Sequence, residues 1–260
     1  MSASLARTRS VALAVAWRAL ANAVRNPAIL LPTVLFPLFF FTAFAGGLSA
    51  VQRAPDFDYA AGYTSFQFGF ICIQAAAFGG VFTGFAIAND FEYGFARRLL
   101  LAAPNRGGIV IGYAIAAMTR AAFVLAIVFV AGLVAGMRVD GSIGDLAALL
   151  ALALGVSATS TLWAAGIAMR LRSMQAGPAM QMPVFMLLFL APVFVPLDLV
   201  VGWVHEIARF NPATAWLEAA RGFLAGEPEK VAIAAASAAG LFALASLWAR
   251  GGLHSAERAG

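Results

Sequence analysis

Few residues in this chain could do covalent chemistry, and their spacing decides which. His205-Glu206-Ile207-Ala208-Arg209 begins like H-E-x-x-H, in which two histidines one helical turn apart hold zinc and the glutamate activates water. Arg209 stands where the second histidine must be, and the chain has only two histidines. The zinc ligand set is therefore missing. A single cysteine, Cys72, leaves no disulfide framework and no multi-cysteine metal site, and no G-x-S-x-G elbow occurs. A P-loop needs lysine before serine or threonine after a glycine-rich turn, yet the one lysine, Lys230, follows Glu229. Anything this polypeptide moves uphill must draw on an ion gradient or on another subunit. A membrane enzyme acting through His205, Glu206 and Arg209 is the remaining catalytic alternative, and it would have to turn over as an isolated chain.

Three polar constellations are left. The densest is Asn89–Gly108, N-D-F-E-Y-G-F-A-R-R-L-L-L-A-A-P-N-R-G-G. Asn89 or Asp90 can cap a helix over 90–103, which Pro104 ends. Asp90 and Glu92 lie at its start and Arg97 and Arg98 nearer its end, as the helix dipole favours. Phe91, Phe95 and Leu99 recur every four residues and form an apolar ridge. Such a helix rests on a membrane or inserts into a groove on a partner. The second constellation lies in apolar runs: Gln67 and Gln74 on one helical face, Gln181, and Arg120, each lining a path or bonding to a neighbouring helix. The third, 198–230, holds two i,i+3 pairs, Glu206/Arg209 and Glu218/Arg221, separated by Asn211-Pro212. It forms either two short helices dipping into the outer leaflet or a solvated surface hairpin.

The elements that must position these groups follow from composition. The chain has 260 residues, 62% of them hydrophobic and 11% charged, with mean hydropathy +0.88, whereas soluble domains are about one quarter charged. An all-α integral membrane protein is expected, folded as one transmembrane domain over 1–260. Roughly 20 apolar residues span a bilayer as a helix, and the gaps between charges give six such runs, 26–52, 59–89, 107–137, 146–169, 173–197 and 231–249. With the N-terminus in the cytoplasm, that side holds Arg7, Arg9, Arg18, Arg25, Arg97, Arg98, Arg106, Arg170, Arg172, Arg250 and Arg258. The other holds only Arg53, Arg138, Arg209, Arg221 and Lys230, so the positive-inside rule puts both termini and the 89–108 stretch in the cytoplasm. The net charge of +5 follows this topology and does not point to nucleic acid. Residues 5–25 read as an interfacial helix, with Leu13, Trp17, Leu20 and Val24 on one face and Arg18 and Arg25 turned toward anionic headgroups. Packing on another subunit is the alternative. Asn26-Pro27 breaks that helix before the first span.

These residues resemble the membrane (permease) subunit of type-2 ABC exporters, the daunorubicin-resistance and polysaccharide-exporter group. The likeness rests on an N-terminal interfacial helix before six spans, on E-Y-G-F-A-R-R-L-L-L-A-A-P-N-R at 92–106, and on F-N-P-A-T-A-W-L-E-A-A-R-G-F-L-A-G at 210–226. The resemblance implies a transport subunit without its own ATPase site, in a bacterial cytoplasmic membrane. It would be driven by two copies of a separate ABC ATPase that hold ATP and Mg. It implies a second permease, identical or homologous, with the path at their interface, and export of a hydrophobic drug, a lipid or glycolipid, or a polysaccharide. It assigns ATPase coupling to Phe91, Glu92, Gly94, Phe95, Arg97, Arg98 and Leu99, bracing to the helix of Trp17, Arg18 and Arg25, and membrane re-entry to the helices of Glu206, Arg209, Asn211, Pro212, Glu218 and Arg221.

Overall fold

The computed structural model describes residues 2–25, 27–54, 57–103 and 105–258, with side chains from residue 5 onward except those of 27–30. The expected break at Asn26 and stop at Pro104 fall outside the described residues. Ten α-helices are described, with no strand among the described residues: α1 Ser2–Arg25, α2 Pro27–Phe41, α3 Gly62–Glu92, α4 Phe95–Ala102, α5 Gly107–Val134, α6 Ile143–Leu171, α7 Gly177–Phe189, α8 Trp203–Phe210, α9 Pro212–Ala225 and α10 Val231–Arg258. The chain is thus an all-α integral membrane protein. Five helical stretches are long and apolar enough to cross a membrane: Leu31–Arg53, Gly62–Glu92, Gly107–Val134, Ile143–Leu171 and Val231–Arg258. The first is α2 continued through a π-helical turn, Thr42–Gly46, and a 3-10 turn, Ser49–Arg53.

Helix α3 is the axis. Its 31 residues span roughly 46 Å at 1.5 Å per residue, and most of its surface is covered. It crosses α6 closely at Gly80, where an added Cβ would lie 2.6 Å from the Ser157 carbonyl oxygen. Small residues allow this approach, which in lipid replaces hydrophobic burial as the source of helix association. Helix α10 packs on α6, and α1 packs along α5. In the second contact Gly112 of α5 leaves room for the Ala12 carbonyl, 2.6 Å from where a Cβ would stand.

The run 173–197 differs from the single kinked span read from the sequence. Helix α7 has only 13 residues, about 20 Å, and the chain then continues without helix as far as Pro196. Pro192 and Pro196 lack the N–H a helix needs and bias the preceding residues toward extended backbone. The segment still accompanies α3 along its length. At one end Ser173 Oγ and the Met174 N–H donate to Glu92 Oε1, at 2.9 and 2.8 Å. At the other, Tyr63 Oη donates to the Phe194 carbonyl at 3.1 Å. The non-helical carbonyls need donors in an apolar setting. Val193 obtains two, Gln67 Nε2 and Arg221 Nη2, both at 3.1 Å.

Candidate functional site

The end of the bundle that carries α4 holds most of the cations. Its geometry starts at Gly94, whose φ of +71° is a left-handed conformation glycine adopts without penalty. Helix α3 runs on through Asp90, Phe91 and Glu92, turns at Tyr93–Gly94, and α4 begins at Phe95. The helix expected over 90–103 is therefore two elements, because Gly94 reverses the chain inside it. Neither Asn89 nor Asp90 caps it.

The turn also redistributes the ridge. Phe91 and Leu99 pack against the protein's own core, and the Phe95 ring lies 3.5 Å beneath the Arg18 guanidinium. What α4 and its turn expose are Tyr93 (77%), Leu101 (74%), Arg97 and Arg98. Glu92 is engaged by Ser173 and Met174 and ties α3 to the start of the α7 segment. The C-terminal end of α4 is held as well. Arg106 Nε donates to the Leu100 carbonyl at 3.1 Å, and its Nη1 lies 3.4 Å from Glu257 of α10.

Behind α4 sits an ion-pair cluster. Arg18 of α1 forks onto Asp90, Nη1 to Oδ2 at 2.8 Å and Nη2 to Oδ1 at 2.7 Å, and Tyr113 Oη of α5 donates to the same carboxylate. Hydrogen bonding to Asp90 holds the Arg18 guanidinium above its usual pKa, against the opposing pull of partial burial. Arg18 and Arg25 thus do not act together toward headgroups: Arg18 turns inward to the carboxylate and only Arg25 stays exposed. The apolar stripe on α1 does face outward, with Trp17 76% exposed and Leu13 and Val24 beside it, while Ala12, Val15 and Ala16 pack on the protein. The sequence reading left Tyr113 out of this cluster, since nothing in the local pattern links it to a carboxylate 23 residues earlier.

Within the bundle, Arg120 and the glutamines behave differently from one another. Arg120 donates through Nη2 to the Gly79 carbonyl at 2.8 Å and to Thr83 Oγ1 at 2.5 Å. Gln67 joins Tyr63 and Val193 and is structural. Gln74 is fully buried with neither amide atom bonded. Gln181 is half-buried on α7.

At the opposite end, Asn211 accepts from the Ala213 N–H at 2.9 Å, capping α9, and donates Nδ2 to the Leu187 carbonyl at 2.7 Å. Pro212 occupies the first turn of α9, where its missing N–H costs nothing. Asn211 thus lies level with Leu187, below Phe194, while the C-terminal end of α9 meets the 138–141 loop, with the Asp140 N–H donating to the Leu224 carbonyl at 2.9 Å. Glu206 and Arg209 pair at 3.6 Å on the exposed face of α8. Glu218 and Arg221 do not pair. Glu218 meets Lys230 at 2.8 Å, and Arg221 enters the bundle to lie 3.4 Å over the Phe66 ring and donate to the Phe66 and Val193 carbonyls. Helical spacing allowed the i,i+3 pair, but packing on α3 offered the guanidinium a ring face and two acceptors.

A third feature is an apolar cleft of about 470 Å³ between α3, α6, α7, α9 and α10. Trp163 and Trp248 stack along it with centroids 5.5 Å apart. All its indole N–H groups are satisfied, by the Met180 and Trp163 carbonyls and, for Trp216, by Ser237.

These features define a multi-pass α-helical membrane protein with most of its cations at the end that carries α4. Residues 11–224 match the ABC-2 type transporter family, and the chain belongs to that family: it is the permease subunit of an ABC exporter. It is similar to the daunorubicin resistance ABC transporter permease protein DrrB1 of Streptomyces coeruleorubidus, with 28% identity over 222 residues that cover 84% of this chain and 76% of that protein. Family membership implies an ABC ATPase partner and a membrane location.

Proposed function

We propose that two copies of the ATPase drive this permease through α4, and that the face presented to each ATPase is Tyr93, Arg97, Arg98 and Leu101. The observation that carries this reading is the division of α4 into a core-packed side and an exposed side of two cations and two large apolar groups. Its packed side is fastened to three elements: α3 through the Gly94 turn, α1 through Phe95 under Arg18, and α10 through Arg106 and Glu257. ATP-driven closure of the ATPases, which hold ATP and Mg, pushes α4 and so moves these helices together. Glu92, Phe91 and Leu99 transmit the movement rather than touch the partner.

In this reading α1 runs beside the cytoplasmic half of α5 with its Leu13–Trp17–Val24 stripe toward lipid, both termini are cytoplasmic, and the membrane is the bacterial cytoplasmic membrane. The α8–α9 hairpin re-enters the outer leaflet. A second permease, identical or homologous, completes the path. Support for the shared side of the termini comes from α1 and the C-terminal end of α10, which both meet the α4 end, through Asn105–Thr8 at 2.7 Å and Arg172–Ser255 at 2.8 Å. The Trp163/Trp248 cleft favours a hydrophobic substrate over a polysaccharide, in keeping with the drug-resistance name of the similar permease. The test is co-purification with the ATPase. R97E and R98E combined with L101S should reduce both complex formation and stimulated ATP hydrolysis roughly tenfold or more, the consequence of losing at least ~1.4 kcal/mol of contact. All three side chains are exposed, so thermal stability should hold. A complex that survives this triple change refutes the assignment.

A further inference from the structure

Between α1, α3 and α5 a second cavity, of about 220 Å³, runs from the α4 end toward the middle of the bundle. Arg18, Asn89 and Asp90 line its α4 end, and Arg120 and Asn22 lie farther in, since α1 runs alongside α5 with Val11 against Gly108 and Val15 against Gly112. Arg120 lies 13 residues into α5, roughly 20 Å from the start of that helix. Among the described residues no carboxylate pairs with its side chain. It is 8% exposed, its Nη2 is spent on Gly79 and Thr83, and its Nε–H is buried with no partner. Among the described residues the only carboxylate lining the cavity is Asp90, which Arg18 and Tyr113 already hold. Arg18 and Asp90 cancel, so the cavity as a whole carries one net positive charge. A cation at membrane depth costs about 2.5–3.5 kcal/mol even on lenient scales, and a protein that keeps one there without a partner has a use for it.

We infer that this cavity is a binding site for a singly charged phosphate-class oxyanion, held on Arg120 and entering at the α4 end. Guanidinium suits phosphate through its charge and directed N–H donors, and with Nη2 committed to Gly79 and Thr83 the contact falls to Nη1. The neutral amides of Asn89 near the α4 end and Asn22 farther in can donate without adding charge, and a monoanion brings the site to neutrality. Basic pockets between membrane helices on the headgroup side are where anionic phospholipids bind, and free dihydrogen phosphate offers the same chemistry. The site does not depend on how the ATPase docks, since no residue of the exposed α4 face lines it.

The test uses the purified full-length protein. In the lipid arm it is placed in nanodiscs of phosphatidylcholine with or without phosphatidylglycerol, and bound phosphatidylglycerol is counted by native mass spectrometry after detergent extraction. In the free-ion arm, thermal unfolding in detergent is followed with inorganic phosphate or chloride at equal ionic strength. Wild type should retain phosphatidylglycerol and unfold at higher temperature in its presence, and R120Q should bind it about tenfold or more weakly, the loss expected for one charge-assisted contact. R120K should keep part of the effect. A phosphate-specific shift in the second arm, lost in R120Q, assigns the site to the free ion instead. Should R120Q fold poorly, A86L narrows the cavity from α3 while leaving Arg120 in place, and the same loss is expected. Equal retention and equal unfolding across wild type, R120Q and A86L in both arms would mean that water alone occupies the cavity, and would overturn the inference.

Discussion

At the scale of single residues, the chain spends its scarce charges on contacts between helices distant in sequence. Arg18 and Asp90 are 72 positions apart and form a forked pair, with Phe95 under the guanidinium and Tyr113 on the carboxylate. Arg18 is about one-third exposed and Asp90 nearly buried, so the pair lies between the weak surface regime and the costly buried one. A double-mutant cycle of R18M and D90N should return a coupling of about 1–2 kcal/mol by thermal unfolding, the usual range for residues in contact. D90N alone should also expose α1 to proteolysis, since that helix loses its anchor to α3. A coupling near zero would reduce Arg18 to a surface cation. Arg221 and Arg120 illustrate the same economy: one finds a ring and two carbonyls, the other a carbonyl and a hydroxyl with one N–H left over.

At the scale of elements, two neighbouring glycines of α3 make opposite demands. A methyl group at Gly80 would meet the backbone of α6 at Ser157 and Thr161, whereas at Gly79 it would meet nothing within 4 Å. G80A should destabilise the α3–α6 crossing by about 1–3 kcal/mol, the cost of overpacking a close contact. G79A should be neutral, or stabilising by up to ~1 kcal/mol because alanine loses less backbone entropy in a helix. Parallel thermal unfolding of the two variants in one detergent separates close approach from the general preference of membrane helices for small residues. Helix α7 shows how an element can stop short in a membrane: its tail leaves carbonyls unpaired, and Gln67, Tyr63 and Arg221 supply the donors. Removing the Tyr63 hydroxyl would leave the Phe194 carbonyl without its donor, whereas Val193 would keep one of its two.

At the scale of the whole molecule, the proposed mechanism has the α4 end drive and the apolar middle receive. Force applied to α4 reaches α1, α3 and α10 through named contacts, and α6, α7 and α10 form walls of the tryptophan-lined cleft. If that cleft takes the substrate, A245W should fill it, because Ala245 lies buried in its wall. In the assembled exporter the expected result is loss of substrate-stimulated ATP hydrolysis with the basal rate retained. Undiminished stimulation would move substrate recognition elsewhere, for instance to the interface with a second permease. The Arg120 cavity opens at the driving end and the cleft lies deeper in the bundle, so the two sites can be tested separately.

The residues alone determined the class of protein and most of the spans. A bilayer imposes a one-dimensional condition, about 20 consecutive apolar residues per helix, and catalytic motifs that depend on exact spacing can be excluded by reading along the chain. The matching of charges was not legible in that way. Glu218 and Arg221 have the spacing of a pair, yet their partners are Lys230 and Phe66. Phe91, Phe95 and Leu99 have the spacing of an exposed ridge, yet Gly94 breaks the helix between them and the remaining contacts turn them inward. Asp90 reads as the start of a helix over 90–103 but lies near the end of α3, inside a cluster with Arg18 and Tyr113. Which guanidinium meets which acceptor depends on how helices far apart in sequence lie against each other, and only the tertiary structure decides that.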